Sequence, residues 1–127
     1  MLVRGGSLND KILIDTYLSH IRRFIDEKNY FMEKEDKKNL SSMGIAYSDA
    51  IRMCKNLTHE NYVNGPIEDY LFPKQSVFVF GQTMDEIEIY IKLTIKEEKG
   101  LFIMSFHEAK YPMEYPYRKN NQKEKIK

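Results

Sequence analysis

The chain has 127 residues, of which 42% are hydrophobic and 31% charged, and its formal net charge is +1. These values predict one folded domain and argue against two classes, a chain disordered throughout and a protein that coats nucleic acid by charge alone. The single cysteine, Cys54, and the lack of a secretory signal or of an apolar run of about 20 residues predict a cytoplasmic protein outside the membrane.

The first half of the chain is predicted to be helical. After a cap at Ser7 or Asn9, apolar residues recur at spacings of four, three and four, the pattern of one buried helix face: Ile14, Leu18, Ile21 and Ile25. The balanced charges of residues 33–38 predict a solvated connection. A short helix is expected from Ser48, and a further helical turn from Thr58.

The second half is predicted to form a sheet. Residues 65–76 contain two prolines and indicate an irregular crossing segment. From there the apolar period changes from 3.6 to 2, which predicts strands at residues 77–80, 86–95 and 101–107, and their short connections require antiparallel pairing. Prolines exclude a central strand from residues 111–117, which are interpreted as an ordered aromatic strap, and residues 119–127 are expected to be a disordered basic tail.

Together these elements predict an α+β fold, with N-terminal helices packed on one face of a C-terminal twisted antiparallel sheet, in a single domain over residues 1–118. Alternation predicts which side chains the helices cover: Ile87, Ile89, Ile91, Leu93, Phe102, Met104 and Phe106. The opposite, bare face would then carry the polar residues of the two last strands: Glu88, Tyr90, Lys92, Ser105 and His107.

A histidine, a tyrosine and a lysine on one face are sufficient for cleaving RNA without a metal. The reaction needs a base for the ribose 2′-OH, an acid for the departing 5′-oxygen and a cation for the phosphorane, and tyrosine rings can stack on bases. The alternative is an ordinary wet sheet face, on which His107 bonds to backbone and Lys92 pairs with Glu88 or Glu108. The histidines lack metal-binding spacing and no glycine-rich loop precedes a helix, so neither a metal nor a cofactor is predicted.

Short motifs along residues 8–118 resemble one protein family. The strongest are the strands Ile87–Leu93 and Ser105–His107. The others, in chain order, are Met43-Gly44-Ile45, Asp49-Ala50, Leu57-Thr58, Asn61-Tyr62, Gly65-Pro66 with Asp69, Val77–Gly81 and Tyr115–Arg118. Together they resemble the MqsR family of toxins from type II toxin–antitoxin systems. The resemblance implies a RelE-like fold and a metal-independent endoribonuclease that cuts messenger RNA, inhibits translation and is neutralised by a cognate antitoxin.

The resemblance also implies roles for individual residues. Tyr90 would be the family's active-site strand tyrosine, and His107 would stand where members place a catalytic lysine. We therefore predict His107 as general acid–base, Tyr90 as positioning group or second proton donor, and Lys92 as phosphorane stabiliser. Further RNA contacts are predicted at three residues: Lys110, Arg118 and Tyr62.

Two positions depart from the family pattern. The glutamine expected in the preceding strand corresponds to an apolar position near Val79, and the lysine expected after the short helix falls near Val63 or Asn64. Two other functions are therefore kept beside the ribonuclease: a non-catalytic protein-interaction module, and a degenerate toxin that binds its partner without cleaving RNA.

Overall fold

The computed structural model describes residues 8–69, 72–96 and 98–118, so the predicted basic tail lies outside the described residues. The described residues form three α-helices and a short 3-10 turn: α1 (Leu8–Asp26), α2 (Lys34–Met43), α3 (Tyr47–Lys55) and the turn His59–Asn61. They also form five strands: β1 (Tyr30–Met32), β2 (Tyr62–Asp69), β3 (Phe72–Met84), β4 (Ile87–Lys96) and β5 (Gly100–Glu108). The predicted α+β fold is thus confirmed. Among these helices, none combines the length and the apolar character needed to cross a membrane.

The strands form a single sheet in the order β1-β5-β4-β3-β2. The three pairs among β2, β3, β4 and β5 are antiparallel. This pairing was predicted for β3, β4 and β5, whereas β2 was not predicted as a strand. β1 instead runs parallel to β5, with Phe31 beside Phe102, so the sheet is mixed and the prediction of a wholly antiparallel sheet is wrong. Three residues are too few to show a period of two, and β1 therefore carries no recognisable strand pattern.

The charged residues 33–38 are not a solvated connection, because Lys34 begins α2. Only Asp36 and Leu40 of this helix are buried. They are four residues apart and lie on one face, so the buried stripe is too narrow to produce an amphipathic pattern. The helix ends at Gly44, whose φ of 71° lies in the left-handed region that glycine adopts readily.

Residues 65–76 are also misassigned by the sequence argument, since the described ones belong to β2 and β3. β2 is an edge strand, which is where a proline such as Pro66 is tolerated in a sheet. β3 continues through Gly81 instead of ending there. Its turn into β4 is made by Asp85 and Glu86, whose positive φ values of 49° and 68° are those of a tight two-residue hairpin.

The hydrophobic core lies between the helices and one face of the sheet. The predicted stripe of α1 is buried, with Ile14 and Ile21 at 0% exposure. It packs in one cluster with apolar residues of α3 and of the sheet: Ala50, Ile51, Cys54, Phe78, Phe80, Ile89, Ile91 and Leu93. The alternation predicted for β4 is therefore correct on its core side.

The pairing of β4 with β5 contains a β-bulge at Met104. Before it, Tyr90 lies opposite His107 and Lys92 opposite Ser105; after it, Leu93 lies opposite Ile103, so Met104 is the extra residue.

Directly opposed residues point to the same face of a sheet, so this bulge reverses the predicted face of the β5 residues that precede it and leaves that of Ser105, Phe106 and His107 unchanged. Of the three β5 residues predicted for the core, only Phe106 lies there. Leu101 and Ile103 join the core cluster, whereas Phe102, opposite Thr94, lies on the other face.

Candidate functional site

The candidate site lies on the face of the sheet turned away from the helices, which we call the outer face. Cross-strand pairing puts Tyr90 beside His107 and Lys92 beside Ser105 on this face. All four side chains are half-buried. The structure therefore brings together the three residues for which catalytic roles are predicted, and the roles themselves stay predictions.

Tyr90 and His107 form a stacked pair. Their ring centroids are 5.0 Å apart and their planes differ by 11°. The Nδ1 atom of His107 is 2.9 Å from the backbone carbonyl oxygen of Glu108. Because a carbonyl only accepts, Nδ1 must carry the proton of this bond, and a neutral ring then keeps its lone pair on Nε2. The backbone thus selects the tautomer in which Nε2 can accept a proton.

Lys92 lies between two neighbours across the sheet. Ser105 is opposite it on β5, and Val79 is opposite it on β3. Val79 occupies the place at which the family resemblance leads one to expect a glutamine, and it is only 4% exposed. Across the sheet, Lys92 therefore has a polar neighbour, Ser105, on β5 and an apolar neighbour, Val79, on β3.

Residues 109–118, which we call the strap, cross the outer face next to this cluster. They contain no strand, in agreement with the sequence prediction. The carboxylate of Glu88 holds them, because it accepts hydrogen bonds from the Met113 amide at 3.2 Å and the Tyr115 hydroxyl at 2.7 Å. Burial, and then the bond to Glu88, raise the pKa of Tyr115 far above the ordinary value for tyrosine, so this hydroxyl acts as a donor.

The outer face is not polar along its whole length, and the prediction of a bare polar face is wrong in this respect. Four of its residues are almost inaccessible to solvent: Val77, Val79, Thr94 and Phe102. The ring of Phe102 stacks on Phe31 with a centroid distance of 4.5 Å, and the Lys96 Nζ atom lies 4.6 Å from the Phe102 centroid. The accessible polar part is confined to the end of the sheet around Tyr90 and His107.

The three predicted RNA contacts have different outcomes. Lys110 is exposed at the start of the strap. The Arg118 guanidinium is 3.6 Å from the centroid of the Tyr115 ring, so it packs on the strap. Tyr62 is wrong as an RNA contact, since it is 2% exposed and its hydroxyl donates to the Gly65 carbonyl at 2.6 Å. It is a core residue.

Asp36 is a residue near the site that the sequence argument missed. It is 9% exposed, and its Oδ1 atom accepts a hydrogen bond from the Phe106 amide at 3.3 Å. Burial raises its pKa, while the Phe106 amide and the nearby charge of His107 act in the opposite direction. A signal for it existed, because acidic residues at positions 33, 35 and 36 are typical of the start of a helix.

Other polar clusters lie away from this face. A cleft of about 440 Å³ between α3 and the β3–β4 turn is lined in part by Asp49 and Arg52, which bond to each other at 2.9 Å. His59 pairs with Asp15 of α1 at 3.1 Å. Within residues 8–69, 72–96 and 98–118, no three side chains of the histidine, cysteine, aspartate or glutamate type form a group that could hold a metal ion.

Comparison with known proteins adds no family assignment. No protein-family model matches the chain, and no curated protein matches it. Function is therefore inferred from the stacked pair and its surroundings.

Proposed function

We propose that this protein is a toxin-type endoribonuclease that cleaves messenger RNA in the cytoplasm without a metal and is neutralised by a cognate antitoxin. The observation that supports the proposal best is the stacked pair of Tyr90 and His107, in which the Glu108 carbonyl leaves the imidazole Nε2 as proton acceptor. The α+β architecture and the motifs that resemble the MqsR family are consistent with it.

The reaction is a transesterification within the RNA. His107 takes the proton of a ribose 2′-OH through Nε2, and the resulting oxygen attacks the adjacent phosphorus. The bond from phosphorus to the 5′-oxygen breaks, and this oxygen takes the phenolic proton of Tyr90. The products are a 2′,3′-cyclic phosphate and a 5′-hydroxyl, and the proton on His107 returns to Tyr90 through solvent.

Lys92 has an electrostatic role in this scheme. The phosphorane carries more negative charge than the phosphate diester from which it forms, and an ammonium group on the same sheet face stabilises that additional charge. On the outer face, the pair of Lys92 and Ser105 is next to the pair of Tyr90 and His107, so Lys92 borders the same accessible patch. Lys110, exposed on the strap, is the second cation for the RNA backbone.

The direct test is cleavage of a messenger RNA by the purified protein in the presence of EDTA. We expect the parent protein to cleave and His107→Ala to lose about 10²–10⁴ in rate, the usual contribution of a general acid–base. His20→Ala is the matched control, because His20 is an exposed histidine of α1 whose ring contacts Arg23. Equal cleavage by the parent protein and His107→Ala would remove His107 from the mechanism, and loss of cleavage in EDTA would contradict metal independence.

The chemistry has its own test. An RNA with a single 2′-deoxynucleotide at the cleaved position lacks the attacking oxygen and should stay intact. Cleavage at that position would show that water attacks the phosphorus directly, and the transesterification would then be wrong.

Toxicity and its neutralisation form the cellular part of the proposal. Expression of the parent protein should arrest growth, and co-expression of a small protein encoded next to it should restore growth. His107→Ala should be tolerated at the same expression level. If the intact protein affects neither growth nor RNA, the toxin proposal fails.

A degenerate toxin is the second candidate, and Val79 is the observation that favours it. An apolar, 4% exposed residue stands opposite Lys92 where the family would supply a polar side chain. A degenerate toxin, like a non-catalytic interaction module, would bind a protein partner and leave RNA intact. Binding of the adjacent gene product by both the parent protein and His107→Ala, with no cleavage by either, would decide for this candidate.

A further inference from the structure

The strap carries three tyrosines, and one of them is turned to solvent. Tyr115 and Tyr117 are buried, with 4% and 7% of their surface exposed. Tyr111 is 79% exposed, more than any other large hydrophobic side chain in the part of the chain that the structure describes. Single exposed apolar residues are common on protein surfaces, so exposure alone assigns no role to this ring. A role depends on where the ring is held.

The loop of residues 109–113 holds Tyr111 at the edge of the site. At one end of the loop the Ala109 amide donates to the Glu88 carbonyl at 2.8 Å. At the other end the Met113 amide donates to the Glu88 carboxylate at 3.2 Å. Tyr111 is two residues from each bonded end, so its Cα atom lies within about 7 Å of the Cα atoms of both. One residue of the sheet thus fixes both ends of the loop.

That residue, Glu88, is a direct neighbour of the stacked pair. Glu88 and Tyr90 are two residues apart on β4, which places them on the same face at a separation of about 6.6 Å. The loop also begins two residues after His107, whose Nδ1 atom is bonded to the carbonyl of the intervening Glu108. An RNA strand with a phosphate at the stacked pair therefore has a neighbouring base within reach of Tyr111.

The backbone of Tyr111 is restricted before any ligand binds. Pro112 follows it, and the residue before a proline is confined to extended conformations. The two hydrogen bonds to Glu88 restrict the loop further. Little backbone entropy is then lost when a ligand packs on the ring, and such pre-organisation favours binding.

The charges around the loop favour a base over a phosphate as the ligand of this ring. Lys110 is exposed beside Tyr111, but two carboxylates of the same stretch, Glu108 and Glu114, are exposed as well. The whole chain has a net charge of only +1. Attraction for the RNA backbone is therefore weak here, whereas stacking of a base on an aromatic ring requires no net charge.

We propose that Tyr111 is a base-stacking residue, whose ring binds a nucleobase of single-stranded RNA next to the nucleotide that is cleaved. The proposal rests on the proposed function, in which RNA is the substrate. It adds a binding contact outside the reacting atoms. Stacking accepts every base, so Tyr111 fixes the position of the strand without selecting its sequence.

The direct test uses tryptophan fluorescence. The sequence contains no tryptophan, so Tyr111→Trp keeps an aromatic ring and introduces a single reporter. The probe is a mixed-sequence RNA with 2′-O-methyl groups throughout, which keeps bases and phosphates and lacks the attacking hydroxyl. We expect this RNA to quench the fluorescence, and an abasic sugar-phosphate strand of equal length to leave it unchanged. Tyr47→Trp is the matched control, because Tyr47 is an exposed tyrosine of α3 on the helix side of the sheet and should show no quenching.

Affinity for the same RNA separates the ring from its bulk. Tyr111→Ala should weaken binding about 5- to 150-fold, the usual contribution of one base stacked on an aromatic side chain. Tyr111→Phe should bind like the parent protein, and Tyr111→Leu like Tyr111→Ala. Since the ring is exposed, all three variants should unfold at the urea concentration of the parent protein, so a change in affinity is not a change in folding.

Cleavage kinetics link the contact to the reaction. A contact outside the reacting atoms binds substrate and transition state equally, so Tyr111→Ala should raise KM and leave kcat unchanged. Equal affinity of the parent protein and Tyr111→Ala, or fluorescence that bound RNA does not change, would overturn the proposal. Quenching by the protein encoded next to this one, and not by RNA, would also overturn it and make the ring a protein contact. Quenching by RNA without cleavage would contradict the ribonuclease and leave the stacking contact standing.

Discussion

Gly81 is the position at which a single added methyl group should separate the strap from the sheet. It lies on the outer face opposite Tyr90. A Cβ atom there would fall far inside the contact distance of the Tyr115 hydroxyl, and 2.6 Å from the Met113 Cε atom. Met113 can move its flexible end, but Tyr115 is 4% exposed and donates to Glu88, so Gly81→Ala must either displace this ring or distort β3.

The cost follows from what the displacement breaks. A hydrogen bond to a charged group contributes about 1.5–3 kcal/mol, and overpacking a tight contact costs about 1–3 kcal/mol. Because moving the ring relieves the overlap, the two costs do not add in full, and we expect Gly81→Ala to lower the free energy of unfolding by about 2–4 kcal/mol. A domain of this size has about 5–15 kcal/mol in total, so the variant should fold but unfold at a clearly lower urea concentration.

Urea denaturation of a double-mutant cycle measures the effect. Tyr115→Phe removes the hydroxyl that overlaps most, so Gly81→Ala should cost about 1–2 kcal/mol less in that background than in the parent protein. Gly44→Ala is the comparison for backbone strain alone, since Gly44 has open space around it and a φ of +71°. Additive effects of Gly81→Ala and Tyr115→Phe, or a cost no larger than that of Gly44→Ala, would refute the reasoning.

Three further predictions concern buried groups. Burial raises the pKa of the Cys54 thiol to about 12, so thiol reagents should label it at neutral pH only when the protein unfolds; rapid labelling of the folded protein would contradict this. Tyr62→Phe removes the bond to the Gly65 carbonyl and should lower the free energy of unfolding by about 1–3 kcal/mol in urea denaturation, without changing RNA affinity. Burial raises the pKa of Asp36, so its carboxyl group stays protonated to higher pH in the folded state than in the unfolded state. The free energy of unfolding therefore falls as pH rises from about 4, the unfolded pKa of aspartate, through the folded pKa. Asp36→Asn should lack this loss, so urea denaturation between pH 3 and 7 should show the two stability curves diverging with rising pH; parallel curves would refute it.

The sequence predicted those elements whose pattern is local. The stripe of α1 and the alternation of β4 are set by residues a few positions apart, and both are present in the structure. β1 and α2 were missed because their partners are distant in sequence. β1 is a strand because it pairs with residues 101–103, and Asp36 of α2 accepts a hydrogen bond from the Phe106 amide, 70 residues later. Contacts between residues far apart in sequence produce no periodic pattern of apolar residues that could be recognised in the sequence.

The site was predictable because side chains alternate between the two faces of a strand, and only a short stretch of the sheet is involved. Tyr90 and Lys92 are two residues apart on β4, and their partners His107 and Ser105 are two residues apart on β5, so one face follows without further information. The extent of the polar face was not predictable, because it depends on which residues are covered from outside. Val79 and Thr94 alternate correctly and are nevertheless closed to solvent.

The bulge at Met104 shows why the prediction held for His107 and failed for Phe102. One extra residue in a strand reverses the face of every residue beyond it. Ser105 and His107 follow the bulge, on the C-terminal side of Met104, and they keep their predicted side. The residues that precede the bulge are reversed. The same reversal sends Ile103 into the core and Phe102 outward against Phe31. Without a bulge between Ile103 and His107, His107 would lie opposite Ile89 and point toward the helices, and the pair with Tyr90 could not have formed. With the register of residues 101–103 fixed, the presence of this bulge before His107 therefore decides whether His107 and Tyr90 share the outer face.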